Sequence, residues 1–101
     1  MRFGLKESTI DQINTVLAQY PQIESAILYG SRAKGNYRPG SDIDLTLTGD
    51  QVDLALIHKV ELALDDLLLP YTIDLSAYRQ LGNPELIDHI ERVGKLFYRA
   101  A

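Results

Sequence analysis

Apolar residues along the chain follow a helical spacing and a strand spacing in turn, and this alternation predicts the order of the elements. Between Ile10 and Tyr20 the apolar and aromatic residues recur at helical spacing, and Pro21 ends the helix that they predict. The apolar run SAILY at 25–29 stops at a glycine and predicts a strand. Segment 31–41 is rich in glycine and basic residues, and it predicts a loop with room for one helical turn at its start.

The segment DIDLTLT at 42–48 alternates strictly between polar and apolar residues, which predicts a second strand. Its isoleucine and two leucines point to one face, while Asp42, Asp44 and the two threonines point to the other. A strand of this kind normally has one solvated face, so the two aspartates taken alone do not indicate a function.

The rest of the chain continues the alternation. Helical spacing predicts a second helix over 51–68, YTIDLS predicts a third strand over 71–76, and Pro84 fits the first turn of a last helix. After Gly94, KLFY could add a short edge strand. The order helix, strand, loop, strand, helix, strand, helix predicts an α/β fold, a single small domain over residues 1–101 with helices packed on a short sheet. The pattern leaves open whether the sheet is antiparallel or mixed.

Composition limits the classes of protein that the chain could represent. Of its 101 residues, 46% are hydrophobic and 24% are charged, the balance of a globular domain that can bury a core. The absence of cysteine excludes disulfides and thiolate zinc sites. No apolar run reaches about 20 residues and the N-terminus lacks a signal peptide's apolar core, so we expect a cytoplasmic protein without membrane association. A net charge of −4 argues against direct, broad nucleic-acid binding, which needs a basic face.

Asp42 and Asp44 are two like charges on one face of a strand, about 6.5 to 7 Å apart along the chain. Such carboxylates repel each other, and partial burial makes each one costlier to keep ionised. A divalent cation removes the conflict, because Mg²⁺ prefers carboxylate oxygens combined with water and substrate phosphates. Asp74, between two apolar residues of the third predicted strand, would add a third carboxylate if that strand neighbours the second. Three carboxylates can hold two metal ions.

The loop before the aspartates supplies groups that bind phosphate. Gly30 lets the backbone approach a phosphate closely, and the Ser31 hydroxyl and nearby amides could bind phosphate oxygens. Arg32, Lys34 and Arg38 add positive charge to the same loop. Each feature alone is ordinary, since a Gly-Ser pair is usually a turn and basic residues are usually solvated. Their combination with the aspartates predicts a cleft that holds a phosphate beside a metal.

The sequence GSRAKGNYRPGSDIDL at 30–45 resembles the signature of the polymerase-β-like nucleotidyltransferase superfamily, a Gly-Ser pair followed after ten residues by Asp-Ile-Asp. The chain as a whole is similar to the minimal nucleotidyltransferases, the small MntA-type antitoxins. This resemblance implies the nucleotidyltransferase fold, a short mixed sheet flanked by helices in the order α-β-α-β-α-β-α. It also implies a reaction in which a hydroxyl attacks the α-phosphate of ATP and pyrophosphate leaves.

The resemblance also implies roles for individual residues. It implies that four residues bind the nucleotide: Gly30, Ser31, Arg32 and Ser41. Three are implied as catalytic carboxylates and as ligands of two Mg²⁺ ions: Asp42, Asp44 and Asp74. The last of these would act as the base that assists the acceptor hydroxyl.

A partner follows from the same resemblance. Minimal nucleotidyltransferases are typically encoded beside a helical HEPN ribonuclease toxin, and the resemblance implies that they neutralise it by transferring AMP to a toxin tyrosine. We therefore expect a hetero-oligomer with a HEPN-family toxin, and ATP as substrate. An Arg followed by a His at the spacing of the HEPN signature does not occur in this chain, which predicts an antitoxin rather than a toxin.

Two alternatives stay open at this point. The chain could neutralise a toxin by occlusion, without catalysis, or it could transfer AMP to a small molecule such as an aminoglycoside. Enzymes of the second kind usually carry an additional helical domain for the acceptor. Replacing Asp42 and Asp44 by Asn separates occlusion from catalysis, because an occluding antitoxin would still protect cells.

Histidines and tyrosines carry weaker expectations. His58 and His89 fall in predicted helices without a second ligand nearby, so surface or boundary positions are the simpler interpretation. Tyr20 and Tyr29 are expected in the core, whereas Tyr37, in the loop, could stack on a nucleobase.

Overall fold

The structure, a computed structural model that describes residues 1–101, is built on a four-stranded mixed sheet. Its elements in chain order are α1 (Glu7–Leu17), β1 (Ser25–Tyr29), α2 (Ser31–Lys34), β2 (Ile43–Thr48), α3 (Leu54–Asp65), β3 (Ile73–Ala77), α4 (Pro84–Val93) and β4 (Lys95–Arg99). The strands lie in the order β3-β2-β1-β4. Strand β1 pairs antiparallel with β2 and β4, whereas β2 pairs parallel with β3. The predicted α/β fold with a mixed sheet is confirmed, and KLFY does form an edge strand.

The two faces of the sheet have different surroundings. One face is apolar and packs with α1 and α3 into a single hydrophobic core. Its fully buried strand residues are Ala26, Leu28, Ile43, Leu45 and Leu47. The other face carries the polar residues that alternate with these, and α4 packs against it on the β1 side. The chemistry predicted from the sequence therefore lies on the face away from the core.

Helix α3 makes the parallel pairing of β2 and β3 possible, because parallel neighbours need a crossover connection. The side chain of Asp53 caps this helix by accepting a hydrogen bond from the Leu56 N–H over 2.9 Å. The helix is shorter than the predicted 51–68, because the cap makes Leu54 its first residue and the helix ends at Asp65, before the positive φ of 55° at Leu68. A membrane-spanning helix would need a longer apolar stretch than any helix of this structure provides.

The last helix begins as predicted, with Pro84 in its first turn and Asn83 as its cap. The Asn83 side chain accepts a hydrogen bond from the Glu85 N–H over 2.9 Å. Only Ile90 of this helix is buried, so α4 covers the polar face of the sheet only in part. On the core side, Tyr20 packs against the hydrophobic cluster as predicted.

Candidate active site

Asp44 and Asp74 stand opposite each other in the parallel register of β2 and β3. Because neighbouring strands are about 4.8 Å apart and paired residues point to the same face, the two carboxylates project side by side. Asp44 lies on a central strand and is half-buried, whereas Asp74 lies on an edge strand and is exposed. The structure therefore makes the third strand the neighbour of the second, which is the condition that the sequence left open.

The electrostatics of the site connect three carboxylates. Burial raises the pKa of Asp44 above the ordinary aspartate value, and the negative charges of Asp74 and then Asp42 raise it further. His89 acts in the opposite direction and lowers that pKa. Asp42 itself is exposed, just before the first residue of β2. Asp44 therefore carries its negative charge at a cost, which a bound cation would remove.

The carboxylates fit a metal ion that is shared with a substrate better than a closed protein cage. No three Asp, Glu, His or Cys side chains lie close enough together to hold a metal ion by themselves. The role of three carboxylates in holding two ions therefore stays a prediction. Mg²⁺ in phosphate-handling sites is usually held by one or two carboxylates together with waters and substrate phosphates. The pair of Asp44 and Asp74 offers oxygens of that kind.

Gly30 forms the turn between β1 and α2 and lies directly against Asp44. Its φ of 74° and ψ of −157° belong to a region that is open essentially to glycine alone. A Cβ atom at this position would overlap the carboxylate of Asp44. Ser31 follows as the first residue of α2 and is half-buried. The glycine thus permits the close approach of the Gly-Ser turn to the carboxylate pair.

His89 holds the same turn from the side of α4. The backbone N–H of Gly30 donates a hydrogen bond to His89 Nε2 over 3.1 Å. The imidazole also lies edge-on to Tyr29, with ring centroids 6.2 Å apart and planes at 82°. The expectation of a simple boundary position missed this role. A signal existed, since His89 follows Leu86 by three residues and precedes Ile90, which places it on the inward side of the helix.

Tyr29 lies on the polar face, so the prediction that it belongs to the core is wrong. Strand alternation directs Ala26 and Leu28 of β1 to the core and Tyr29 to the opposite side. Burial raises the pKa of Tyr29, the Ser76 hydroxyl beside it lowers that pKa, and the charges of Asp44 and Asp74 raise it. The Ser76 hydroxyl donates a hydrogen bond to Thr46 Oγ1 over 2.9 Å. A row of hydroxyl groups thus extends along the sheet from the carboxylate pair.

Two of the expected nucleotide-binding residues are engaged in holding the loop. Arg32 is 2% exposed, and its guanidinium donates hydrogen bonds of 2.9 to 3.2 Å to the carbonyls of Phe3, Pro39 and Ser41. The Ser41 hydroxyl accepts a hydrogen bond of 2.8 Å from the backbone N–H of Arg38. Because carbonyls occupy the guanidinium donors, the expected phosphate contact of Arg32 finds no support in this arrangement.

Two other expectations concern residues outside the carboxylate cluster. Tyr37 is partly exposed, but the guanidinium of Arg32 lies over its ring, with 5.3 Å between the guanidinium carbon and the ring centroid. That face of the ring is therefore not open to a nucleobase. His58 is exposed on α3, at a surface position as expected.

Comparison with known proteins gives a family match and a set of structures with the same fold. The sequence pattern of the family described as polymerase beta, nucleotidyltransferase, matches residues 11–101. No curated protein matches the chain in sequence.

Three solved structures illustrate the likeness of fold. The first is a toxin–antitoxin complex with AMP-PNP, at 22% identity and a TM-score of 0.71, covering 95% of this chain and 75% of that chain. The second is a tri-AMPylated HEPN toxin of Shewanella oneidensis in complex with MNT antitoxin, at 18% identity and a TM-score of 0.70, covering 95% and 74%. The third is a toxin–antitoxin complex of MntA and HepT, at 18% identity and a TM-score of 0.68, covering 94% and 74%.

Proposed function

The chain belongs to the polymerase β nucleotidyltransferase family, and we propose that it transfers AMP from ATP to a hydroxyl group of a partner protein. The proposed partner is a HEPN-family ribonuclease toxin, which the chain would neutralise as its cytoplasmic antitoxin. We treat residues 1–101 as one nucleotidyltransferase domain.

One contact carries this proposal: the Gly30 turn lies against the carboxylate of Asp44, with Asp74 in register beside it. Nucleotidyl transfer requires a phosphate-holding turn next to groups that accept a cation, because catalysis rests on positioning and on neutralising phosphate charge. The close approach of Gly30 to Asp44 supports such an arrangement. A nucleotide triphosphate seated on the turn would have its phosphates beside both carboxylates.

The proposed roles combine what the family resemblance implies with the contacts that each residue makes. We assign the triphosphate to Gly30 and Ser31, and a pair of Mg²⁺ ions to Asp42, Asp44 and Asp74. Bound Mg²⁺ would supply charge neutralisation at the phosphates and a lower pKa for the attacking hydroxyl. Ser41 is assigned to ordering the loop, since its hydroxyl already bonds to the backbone.

Asp74 is the proposed general base. It is exposed on the edge strand, so the hydroxyl of an acceptor protein can reach it, whereas Asp44 is half-buried. In the proposed step the acceptor oxygen forms a bond to the α-phosphorus, and the bond from that phosphorus to the bridging oxygen of pyrophosphate breaks. The acceptor proton passes to Asp74, and the pyrophosphate leaves with the bonding electrons.

The structural neighbours support the class of partner. Chains of the same fold occur in a complex with AMP-PNP and in a complex with a tri-AMPylated HEPN toxin. Those structures concern other proteins at 18 to 22% identity, and for this chain the substrate and the partner are our proposal.

The direct test is transfer of label to the product of the neighbouring gene. The purified protein is incubated with Mg²⁺, the neighbour and ATP labelled at either the α- or the γ-phosphate. We expect label on the neighbour from α-labelled ATP only, loss of that label in a chelator, and loss in Asp44→Asn. The matched control is Asp11→Asn, which removes the same charge from an exposed site on α1 and should leave transfer unchanged. Absence of label, under conditions where a known relative transfers AMP, would contradict the proposal.

A further inference from the structure

Arg32 is the only charged side chain among the buried residues, and it has no carboxylate partner. Both ion pairs of the structure lie on the surface, between Arg2 and Glu7 and between Arg92 and Asp88. Burying an unpaired charge is costly unless hydrogen bonds replace the lost water. For Arg32 that replacement comes from backbone carbonyls, so the guanidinium is bound entirely to the chain's own loops.

The carbonyl partners of Arg32 lie next to the functional groups of the proposed site. Arg32 itself follows Ser31 of the phosphate turn. Its Nε and one terminal nitrogen donate to the carbonyl of Ser41, at 3.1 and 2.9 Å, and Ser41 directly precedes Asp42. The other terminal nitrogen donates a hydrogen bond of 2.9 Å to the carbonyl of Phe3, which lies in the segment before α1. The side chain of Arg32 thus connects the Gly30–Ser31 turn to the start of β2.

Two aromatic rings complete the surroundings of the guanidinium. The ring centroids of Tyr37 and Tyr71 lie 5.3 and 5.0 Å from its central carbon, within the range of cation–π attraction. Tyr71 lies two residues before β3 and three before Asp74, so this contact reaches the segment that leads into β3. A Cβ atom at Gly4 would overlap the ring of Tyr37, which shows that the N-terminal segment packs closely on the same cluster.

We infer that Arg32 is a positioning residue. It holds the Gly30–Ser31 turn close enough to β2 and β3, the strands that carry Asp44 and Asp74, for nucleotide transfer to occur. The inference rests on the proposed function in assigning that turn and those strands to the reaction. A planar guanidinium can satisfy several carbonyls at once and present a face to each ring, whereas an ammonium group is a point charge with a different donor geometry.

The structure points to a geometric effect of Arg32, since carbonyl groups hold its guanidinium and no carboxylate contacts it. Arg32→Lys keeps the positive charge but not the planar set of donors. It is for this reason the decisive variant.

The first experiment compares amide chemical shifts in the free protein and does not depend on catalysis. Amide ¹H–¹⁵N spectra are recorded for wild type, for Arg32→Lys and for a core control on α1, Ile13→Val or Ile13→Ala, whichever matches its Tm. We expect Arg32→Lys to shift or broaden the amides of Ser31, Asp42 and Asp74, and the control to leave these three amides in place. Unchanged amides of Asp42 and Asp74 in Arg32→Lys would overturn the inference, because the amide of Ser31 shifts with any substitution at the next residue.

A second variant covers the case in which Arg32→Lys does not fold. Tyr71→Leu removes one ring from the guanidinium and leaves every hydrogen bond of Arg32. We expect smaller shifts at Ser31 and Asp74 in this variant, and none at Asp42 beyond those of the control. Amide positions of Ser31 and Asp74 identical to wild type would contradict the connection through Tyr71.

The third experiment measures transfer of AMP, at a temperature well below every Tm. We expect Arg32→Lys to lower kcat by about 100-fold, the scale on which a misplacement of about 1 Å acts, with KM for ATP changed less than about threefold. Arg32→Ala should recover transfer when guanidinium ion is added, and ammonium ion should not restore it. If kcat falls no further in Arg32→Lys than in the α1 control, or if guanidinium and ammonium ions act alike on Arg32→Ala, then Arg32 only stabilises the fold. If wild type itself transfers nothing, the proposed function fails, and the amide spectra still decide the role of Arg32.

Discussion

The two faces of the sheet are built from the same strands but held in place by different means. On the core face, nineteen buried residues pack on one another, so each position is supported by many neighbours. On the site face, a few specific contacts hold the groups: Gly30 against Asp44, His89 on the Gly30 amide, and Arg32 beneath the loop. The core face should therefore respond to substitution in stability, and the site face in activity.

The largest difference is expected between two neighbours of β2 that point to opposite faces. Asp44→Asn should lower AMP transfer by about 1,000-fold, because it removes a carboxylate beside the phosphate turn. Leu45→Ala should instead lower the free energy of unfolding by about 2 to 5 kcal/mol through a core cavity and keep transfer at temperatures where it is folded. Kinetics combined with urea unfolding measure both. Equal loss of activity in the two folded variants would contradict the division between the faces.

Gly30 offers the next largest effect, with Gly35 as a matched control. Both glycines have positive φ, 74° and 89°, but only Gly30 has another side chain within contact of an added Cβ. Alanine at either position costs about 1 to 3 kcal/mol of backbone strain. Gly30→Ala should in addition displace Asp44 and lower kcat by about 100-fold, whereas Gly35→Ala should retain transfer. Similar kcat values in the two variants would show that the close approach to Asp44 is not required.

A smaller effect is expected from the histidine that holds the turn. His89→Ala removes the acceptor of the Gly30 N–H and should lower kcat about tenfold, since losing one hydrogen bond costs about 1 to 1.5 kcal/mol. His89→Gln keeps an acceptor oxygen on the same helix and should recover part of the loss. The ¹⁵N shift of the Gly30 amide should move in the first variant and return toward the wild-type value in the second. Equal activity of wild type and His89→Ala would show that AMP transfer does not depend on His89.

The smallest effect concerns stability against pH in the absence of divalent cations. Asp44 binds its proton more tightly in the folded chain than in the unfolded chain, because burial and the charges of Asp74 and Asp42 raise its pKa above 3.8. Stability should therefore fall as pH rises from that ordinary value through the folded pKa. In a chelator, the Tm of Asp44→Asn should exceed that of wild type by a few degrees at neutral pH, and the difference should shrink toward pH 4. A wild-type Tm that exceeds that of Asp44→Asn at neutral pH would contradict this expectation.

Part of the site could be predicted because its signals are local in the chain. The alternation over 42–48 places Asp44 and Leu45 on opposite faces of one strand in any fold that contains that strand. The Gly30-Ser31 pair indicates a turn for the same reason, since a positive φ favours glycine. The predicted second helix was too long, because apolar spacing extends beyond the Asp53 cap at one end and beyond the last helical residue, Asp65, at the other.

The groups that Arg32 and His89 contact could not be predicted from local signals, although the helical spacing of His89 indicates that it faces inward. A basic residue in a glycine-rich loop is compatible with solvent, with a phosphate and with a cage of carbonyls, and only the packed loop selects the last. His89 meets the amide of Gly30 across 59 positions of sequence. Nothing in the spacing of either segment specifies that the two meet.

The sequence by itself determined which side chains share a strand face, where the chain turns and which residues are able to bind phosphate and cations. Only the tertiary structure decided that β3 lies beside β2 in a register that pairs Asp74 with Asp44. The physical reason is that periodicity arises from the geometry of a single element. Strand neighbours and registers arise instead from hydrogen bonds and core packing between segments that are distant in the chain.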